Sequence, residues 1–136
     1  KDQPGSVLLA TGAAWEGFDF PGDCVSLLVI PRLPFARPDA LKEKVRESFP
    51  DLHSFIRAVV VPEMQIKLKQ GFGRAIRTET DTCVVAILDE RATPGQRYFQ
   101  DVETALPEMQ ITNSLQAVED FIHSVKGSDY FQEDGR

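Results

Sequence analysis

Three short, almost unbroken apolar runs, at residues 6–10, 25–30 and 82–88, leave this chain few ways to fold. Such runs suit parallel strands covered on both faces, whereas a sheet with one wet face would alternate apolar and polar residues. Helical patterns fill the gaps. Residues 38–49 open with Pro38-Asp39, and residues 62–78 open with Pro62. Proline suits a first helical turn because its missing N–H would have no partner there anyway. Residues 96–106 and 114–125 carry two more helical patterns after the third run. Strands alternating with helices imply an α/β fold, an open and mostly parallel sheet with flanking helices. With 136 residues, 42% of them hydrophobic, one domain can bury a core without a disulfide or metal staple. Three strands nevertheless make a thin sheet, and the first follows the N-terminus by only five residues. The expectation is a chain that starts partway through a domain, with a small standalone three-strand fold as the alternative.

Composition narrows the function classes. A net charge of −6 argues against a nucleic-acid coat protein while leaving room for a local basic face. No apolar run approaches the roughly 20 residues of a membrane span, and Lys1-Asp2-Gln3-Pro4 does not read as a signal peptide. A cytoplasmic protein with no membrane partner is therefore expected. Cys24 and Cys83 sit within apolar runs and read as core thiols. With His53 and His123 they are too few and too scattered for a metal site, so none is expected. Charge is uneven along the chain. Residues 1–31 carry −3, residues 32–77 carry +5, and residues 78–136 carry −8.

Two segments can carry chemistry. The first follows the first apolar run and reads Ala10-Thr11-Gly12-Ala13-Ala14-Trp15-Glu16-Gly17-Phe18-Asp19-Phe20-Pro21-Gly22. Ligands of open α/β sheets bind at the carboxyl ends of strands, where this loop belongs. Thr11 offers a hydroxyl and an N–H to a phosphate oxygen, and Glu16 and Asp19 would share a face on a helical turn. A capped loop with two solvated acids is the plainer reading, with Trp15 plugging the loop against the core. The second segment is Gln70-Gly71-Phe72-Gly73-Arg74-Ala75-Ile76-Arg77. On a helix with Gln70 at zero, Arg74 falls near about +40°, Arg77 near −20° and Gly73 near −60°. Leu68, Phe72, Ala75 and Ile76 fall on the other side, between about 140° and 240°. One face would then present two guanidiniums while the other grips the sheet. Each glycine costs a helix roughly 1 kcal/mol relative to alanine, which a closely approaching ligand or surface would offset. Paired arginine forks match phosphate, and one placed at a γ-phosphate accelerates transfer ~10³–10⁵-fold. Solvated arginines on an amphipathic helix are the alternative.

Taken together and in this order, the two segments resemble motifs V and VI of superfamily 2 helicases of the DinG/XPD branch. Gln70 to Arg77 fits the motif VI pattern Q-x-x-G-R-x-I-R at every fixed position, and Trp15 to Asp19 carries the x-E-G-x-D of motif V. Residues 27–35 (LLVIPRLPF) resemble the strand and loop after motif V, and Asp89-Glu90-Arg91 resembles the D-x-R after the following strand. The similarity covers roughly residues 6–107. It implies the C-terminal part of a second RecA-like lobe over residues 1–136, with a variable helical insertion at 32–61.

The same resemblance implies roles. Arg74 and Arg77 would be arginine fingers, with Gln70 at the γ-phosphate or the attacking water. Glu16, Gly17, Asp19 and Gly73 would belong to the ATP site, the two acids coupling it to the DNA track with their separate roles left open. Thr11 and Gly12 would meet a DNA phosphate. Arg32 and Phe35 would help line single-stranded DNA, as could Arg37, Lys42, Lys44, Arg46 and Arg57 unless they form only a solvated helix face. ATP with Mg would be held mainly by the first lobe of the same polypeptide, where any iron–sulfur cluster of the family would also reside. No G-x-x-x-x-G-K-[ST] and no acidic box occur in these residues, so this chain alone is expected not to hydrolyse ATP. A non-catalytic helicase-like binding module and an RNA-directed ATPase are the rival expectations.

Overall fold

The computed structural model of the chain describes residues 6–10 and 24–131. Two strands, β1 (Leu27–Ile30) and β2 (Val84–Ile87), pair in parallel, with Leu27 opposite Val84 and Ile30 opposite Ile87. Between them lie α1 (Ala40–Arg46), α2 (Leu52–Phe55), a π-helical segment (Ile56–Val60) and α3 (Val61–Ala75). After β2 come a 3-10 turn (Glu90–Ala92), α4 (Phe99–Ala105), α5 (Leu115–Val125) and a last 3-10 turn (Ser128–Phe131). The class is α/β with a small parallel sheet and flanking helices, as the apolar runs imply.

The first apolar run departs from expectation. Residues 6–10 carry no strand and are exposed, Val7 at 85% and Leu9 at 90%. An apolar run supplies side chains for a strand but not the ladder that its backbone groups require. Among the described residues, β1 and β2 form a two-stranded sheet with each other.

Local chemistry explains the helices. Asp39 caps α1 by accepting from the Lys42 N–H at 2.8 Å, and Asp51 caps α2 by accepting from the Ser54 N–H at 2.7 Å. Pro62 lies in the first turn of α3, as its sequence context suggests, but the chain is already helical before it. The helical run begins at Leu52, and the π-helical segment ends at Val60, two residues before Pro62. A proline inside a helix removes one bond and crowds the carbonyl four residues back, and a local widening accommodates both.

α3 anchors the core. Its buried residues Val61, Met64, Leu68, Gly71 and Ala75 follow steps of three and four, so they line one stripe. Val61, Met64 and Leu68 pack with Ile30, Leu33, Tyr98 and Val102. On β1, Ile30 and Leu28 face this core while Leu27 and Val29 stay exposed. α4 docks on the same helical run: the Arg57 guanidinium forks onto Asp101 at 2.8 and 3.0 Å, and Gln65 Nε2 donates to the Asp101 carbonyl at 2.8 Å.

A further expectation is corrected. Cys24 is exposed and Cys83 half-buried, because the strands begin only at Leu27 and Val84 and leave both thiols ahead of the core. α5, the helix expected at 114–125, has no buried residue. Its Leu115, Val118 and Ile122 line an open groove with Tyr130 and Phe131, and Phe131 stacks on His123 at 4.2 Å.

Candidate functional site

Because β1 and β2 are parallel and α3 runs back between them, the sheet has two distinct edges. The C-terminal end of α3 leads into β2, on the side where strands begin. The loops after Ile30 and Ile87 leave on the opposite side, where strands end.

The strand-start edge carries the second motif. Gln70 and Gly73 are exposed on α3, Arg74 is half-buried, and Leu68 and Ala75 face the core. A Cβ added at Gly73 would meet nothing within 4 Å, so its surface stands open. Arg77 differs from the helical projection. α3 ends at Ala75, and Ile76 turns extended at φ −123 and ψ 115, so Arg77 stands two residues past the helix and is exposed. Asp81 makes this ending. Its Oδ2 accepts from the Arg77 N–H at 2.9 Å and from the Thr78 N–H at 3.0 Å, while Oδ1 accepts from the Thr78 hydroxyl at 2.9 Å. An aspartate offering its carboxylate to nearby N–H groups competes with the helix for them. The backbone that carries the Arg77 side chain is thereby pinned. Sequence reasoning passed over Asp81, although an aspartate three residues after Thr78 is a turn signal.

The strand-end edge is built around Asp89, which is 8% exposed. Its carboxylate accepts from the Leu33 N–H at 2.9 Å, across the sheet, and from Arg91 Nε and Nη2 at 2.9 and 2.7 Å. The Arg91 fork, with help from the Leu33 N–H, holds the Asp89 carboxyl well below the usual carboxylate range against the opposing effect of burial. The Arg91 guanidinium lies 5.0 Å from the Phe35 ring centre and 5.9 Å from that of Tyr98. Phe35 and Tyr98 meet at 5.0 Å, which leaves Phe35 half-buried. Arg32 and Arg37 are exposed in the same loop. The other bases proposed for a groove divide. Lys42 pairs with Glu63 at 2.7 Å, Arg46 with Glu43, and Arg57 with Asp101, whereas Lys44 is exposed with no ion pair among the described residues.

Thr11, Gly12, Trp15, Glu16, Gly17 and Asp19 lie outside the described residues. Among the described residues no cluster of three or more metal-ligating side chains occurs, and no helix is long and apolar enough to cross a membrane.

Residues 1–109 match the model of a family described as the helicase C-terminal domain. The chain belongs to that family. An ATP-dependent DNA helicase YoaA of Haemophilus influenzae is 38% identical over 121 residues, covering 88% of this chain and 19% of the relative. An ATP-dependent helicase DinG of Mycobacterium tuberculosis is 37% identical over 112 residues, covering 80% of this chain and 17% of the relative. A protein named 3'-5' exonuclease DinG, from Bacillus subtilis, is 33% identical over 120 residues, covering 80% of this chain and 12% of the relative. The chain thus spans less than a fifth of the length of these relatives. No solved structure matches it. Membership of the helicase C-terminal family agrees with the α/β architecture and with the DinG-branch motifs.

Proposed function

We propose that the chain, residues 1–136 with a helical insertion at 32–61, is part of the second lobe of an ATP-dependent DNA helicase. It works against a first lobe of the same polypeptide that holds ATP and Mg. Arg74 and Arg77 act as arginine fingers, and Gln70 acts at the γ-phosphate or the attacking water. Gly73 keeps the helix surface bare so that the nucleotide-bearing lobe can approach. Glu16, Gly17 and Asp19 contribute to the ATP site, while Thr11, Gly12, Arg32 and Phe35 contribute to a track for single-stranded DNA, in a cytoplasmic setting. The observation that carries this reading is the end of α3. Gln70, Gly73 and Arg77 are exposed together there, beside Arg74, in a chain of the helicase C-terminal family.

The physical logic is charge neutralisation at a closing cleft. Phosphoryl transfer is catalysed by positioning and by stabilising charge on the transferred group, and guanidiniums supplied from a facing surface do this only when the cleft closes. Fingers on one lobe and nucleotide on the other would tie hydrolysis to lobe movement. The test is DNA-stimulated ATP hydrolysis by the full-length two-lobe protein. Arg77→Ala should lower turnover by about 10³-fold or more while ATP affinity is retained. Undiminished turnover would remove the finger reading and leave a non-catalytic binding module. Replacing single-stranded DNA by RNA as the stimulating polymer separates the RNA-directed alternative.

A further inference from the structure

We infer that the loop after β2, residues 89–98, is a second nucleic-acid-binding element, with Arg97 as a contact to the phosphate backbone of single-stranded DNA. This rests on the proposed DNA track along the strand-end edge and extends it past the D-x-R at 89–91 to Arg97, which no motif assignment covers.

The loop is shaped before any ligand arrives. Pro94 and Gly95 occupy the centre of a tight turn closed by the Gln96 N–H donating to the Thr93 carbonyl at 2.9 Å. Gly95 takes φ +82, the conformation that such a turn demands after proline and that L side chains rarely adopt. The Tyr98 N–H then donates to the Arg91 carbonyl at 2.9 Å and closes the whole segment on itself. At one end Asp89 ties it to the Leu33 N–H, and so to the loop after β1. Little ordering remains to be done on binding, which removes a common cost of recruiting loop residues.

Charge gives the occupant. Residues 31–37 and 89–98 hold four arginines and two carboxylates, in a chain of net charge −6. Asp89 is consumed by Arg91, so that arginine serves as a brace. Arg32, Arg37 and Arg97 form no ion pair among the described residues, unlike Lys42, Arg46 and Arg57. The Arg97 guanidinium rests 5.1 Å from the Tyr98 ring centre. Tyr98 is 6% exposed and fixed against Phe35. A guanidinium stacked on a buried ring is held in place with its N–H rim available to phosphate oxygens. Three arginines with no ion pair among the described residues, Arg32 and Arg37 in one loop and Arg97 in the loop tied to it, match the repeated charge of a nucleic-acid backbone.

The experiment is the salt dependence of single-stranded DNA binding by the full-length protein, followed by fluorescence anisotropy. Arg97→Ala should weaken binding about two- to fivefold, the range of exposed ion pairs. It should also lower the slope of log affinity against log salt by about 0.7, the value for one single-strand phosphate contact. Arg97→Lys should restore most of the slope, and Arg46→Ala, whose charge is spent on Glu43, should leave it unchanged. An Arg97→Ala slope equal to the parent's, with Arg32→Ala lowering it, overturns this inference and leaves the DNA track standing. An equal fall for Arg46→Ala overturns it as well, since net charge alone would then be responsible. A parent protein that does not bind single-stranded DNA sinks both readings.

Discussion

The two edges of the sheet are finished in opposite ways. Where the strands end, Asp89, Arg91, Phe35 and Tyr98 close on one another, and the two loops are tied together across 56 positions of sequence. Where the strands begin, Gly73 faces open space and Arg77 stands beyond the last helical turn on a backbone held by Asp81. One edge is closed by its own side chains; the other presents an open helix surface at Gly73, where the proposed function places a facing lobe. The proposed DNA track would benefit from such rigidity, since it has to hold a polymer through many cycles. If Arg77 is the finger proposed above, the Asp81 hydrogen bonds give it an anchored backbone and the bare surface at Gly73 gives a facing lobe room to approach.

The largest expected effect tests what the edges share. Leu68 is fully buried on the helix that carries Gly73 and belongs to the core cluster of Leu33 and Tyr98, so Leu68→Ala should cost about 2–5 kcal/mol in urea unfolding. A cost below 1 kcal/mol would mean that the edges do not depend on a common core. Next comes Asp89→Asn, which removes a charge-assisted fork at the strand-end edge and should cost about 1.5–3 kcal/mol. It also carries a pH signature. The folded-state pKa of Asp89 lies below its ordinary 3.8, so its contribution is complete above that value and is lost as pH falls below it. Asp89→Asn should therefore flatten the acid limb of the stability curve below about pH 4. An acid limb as steep as the parent's would assign that steepness to other carboxylates. Gly73→Ala is smaller and of opposite sign. With nothing within 4 Å of the added methyl, the isolated lobe should gain up to about 1 kcal/mol, yet DNA-stimulated turnover in the full-length protein should fall. A stabilised variant with unchanged turnover would show that nothing closes on that face.

Much of this was legible in the sequence, though not evenly. The second and third apolar runs became β1 and β2 because each had the other to pair with, while residues 6–10 pair with no strand among the described residues. The helical projection put Leu68 and Ala75 in the core and Gln70 and Gly73 outside, since periodicity reports burial directly. It misplaced Arg77 because the helix is ended by Asp81, a side chain outside the motif, and local competition for N–H groups leaves no periodic trace. The basic segment at 32–61 looked uniform as a charge count. Three of its six proposed bases are occupied by carboxylates whose partnership only the fold determines. Arg97 sat within the most acidic segment of the chain, residues 78–136, and only the turn at Pro94-Gly95 hinted that its loop was shaped.

The proposed division of labour between the edges can be tested in a single assay, ATP turnover of the full-length protein as a function of single-stranded DNA concentration. Arg77→Ala should lower maximal turnover about 10³-fold with the half-saturating DNA concentration unchanged. Arg32→Ala should raise the half-saturating concentration with maximal turnover unchanged. The same pattern from both variants would contradict the account.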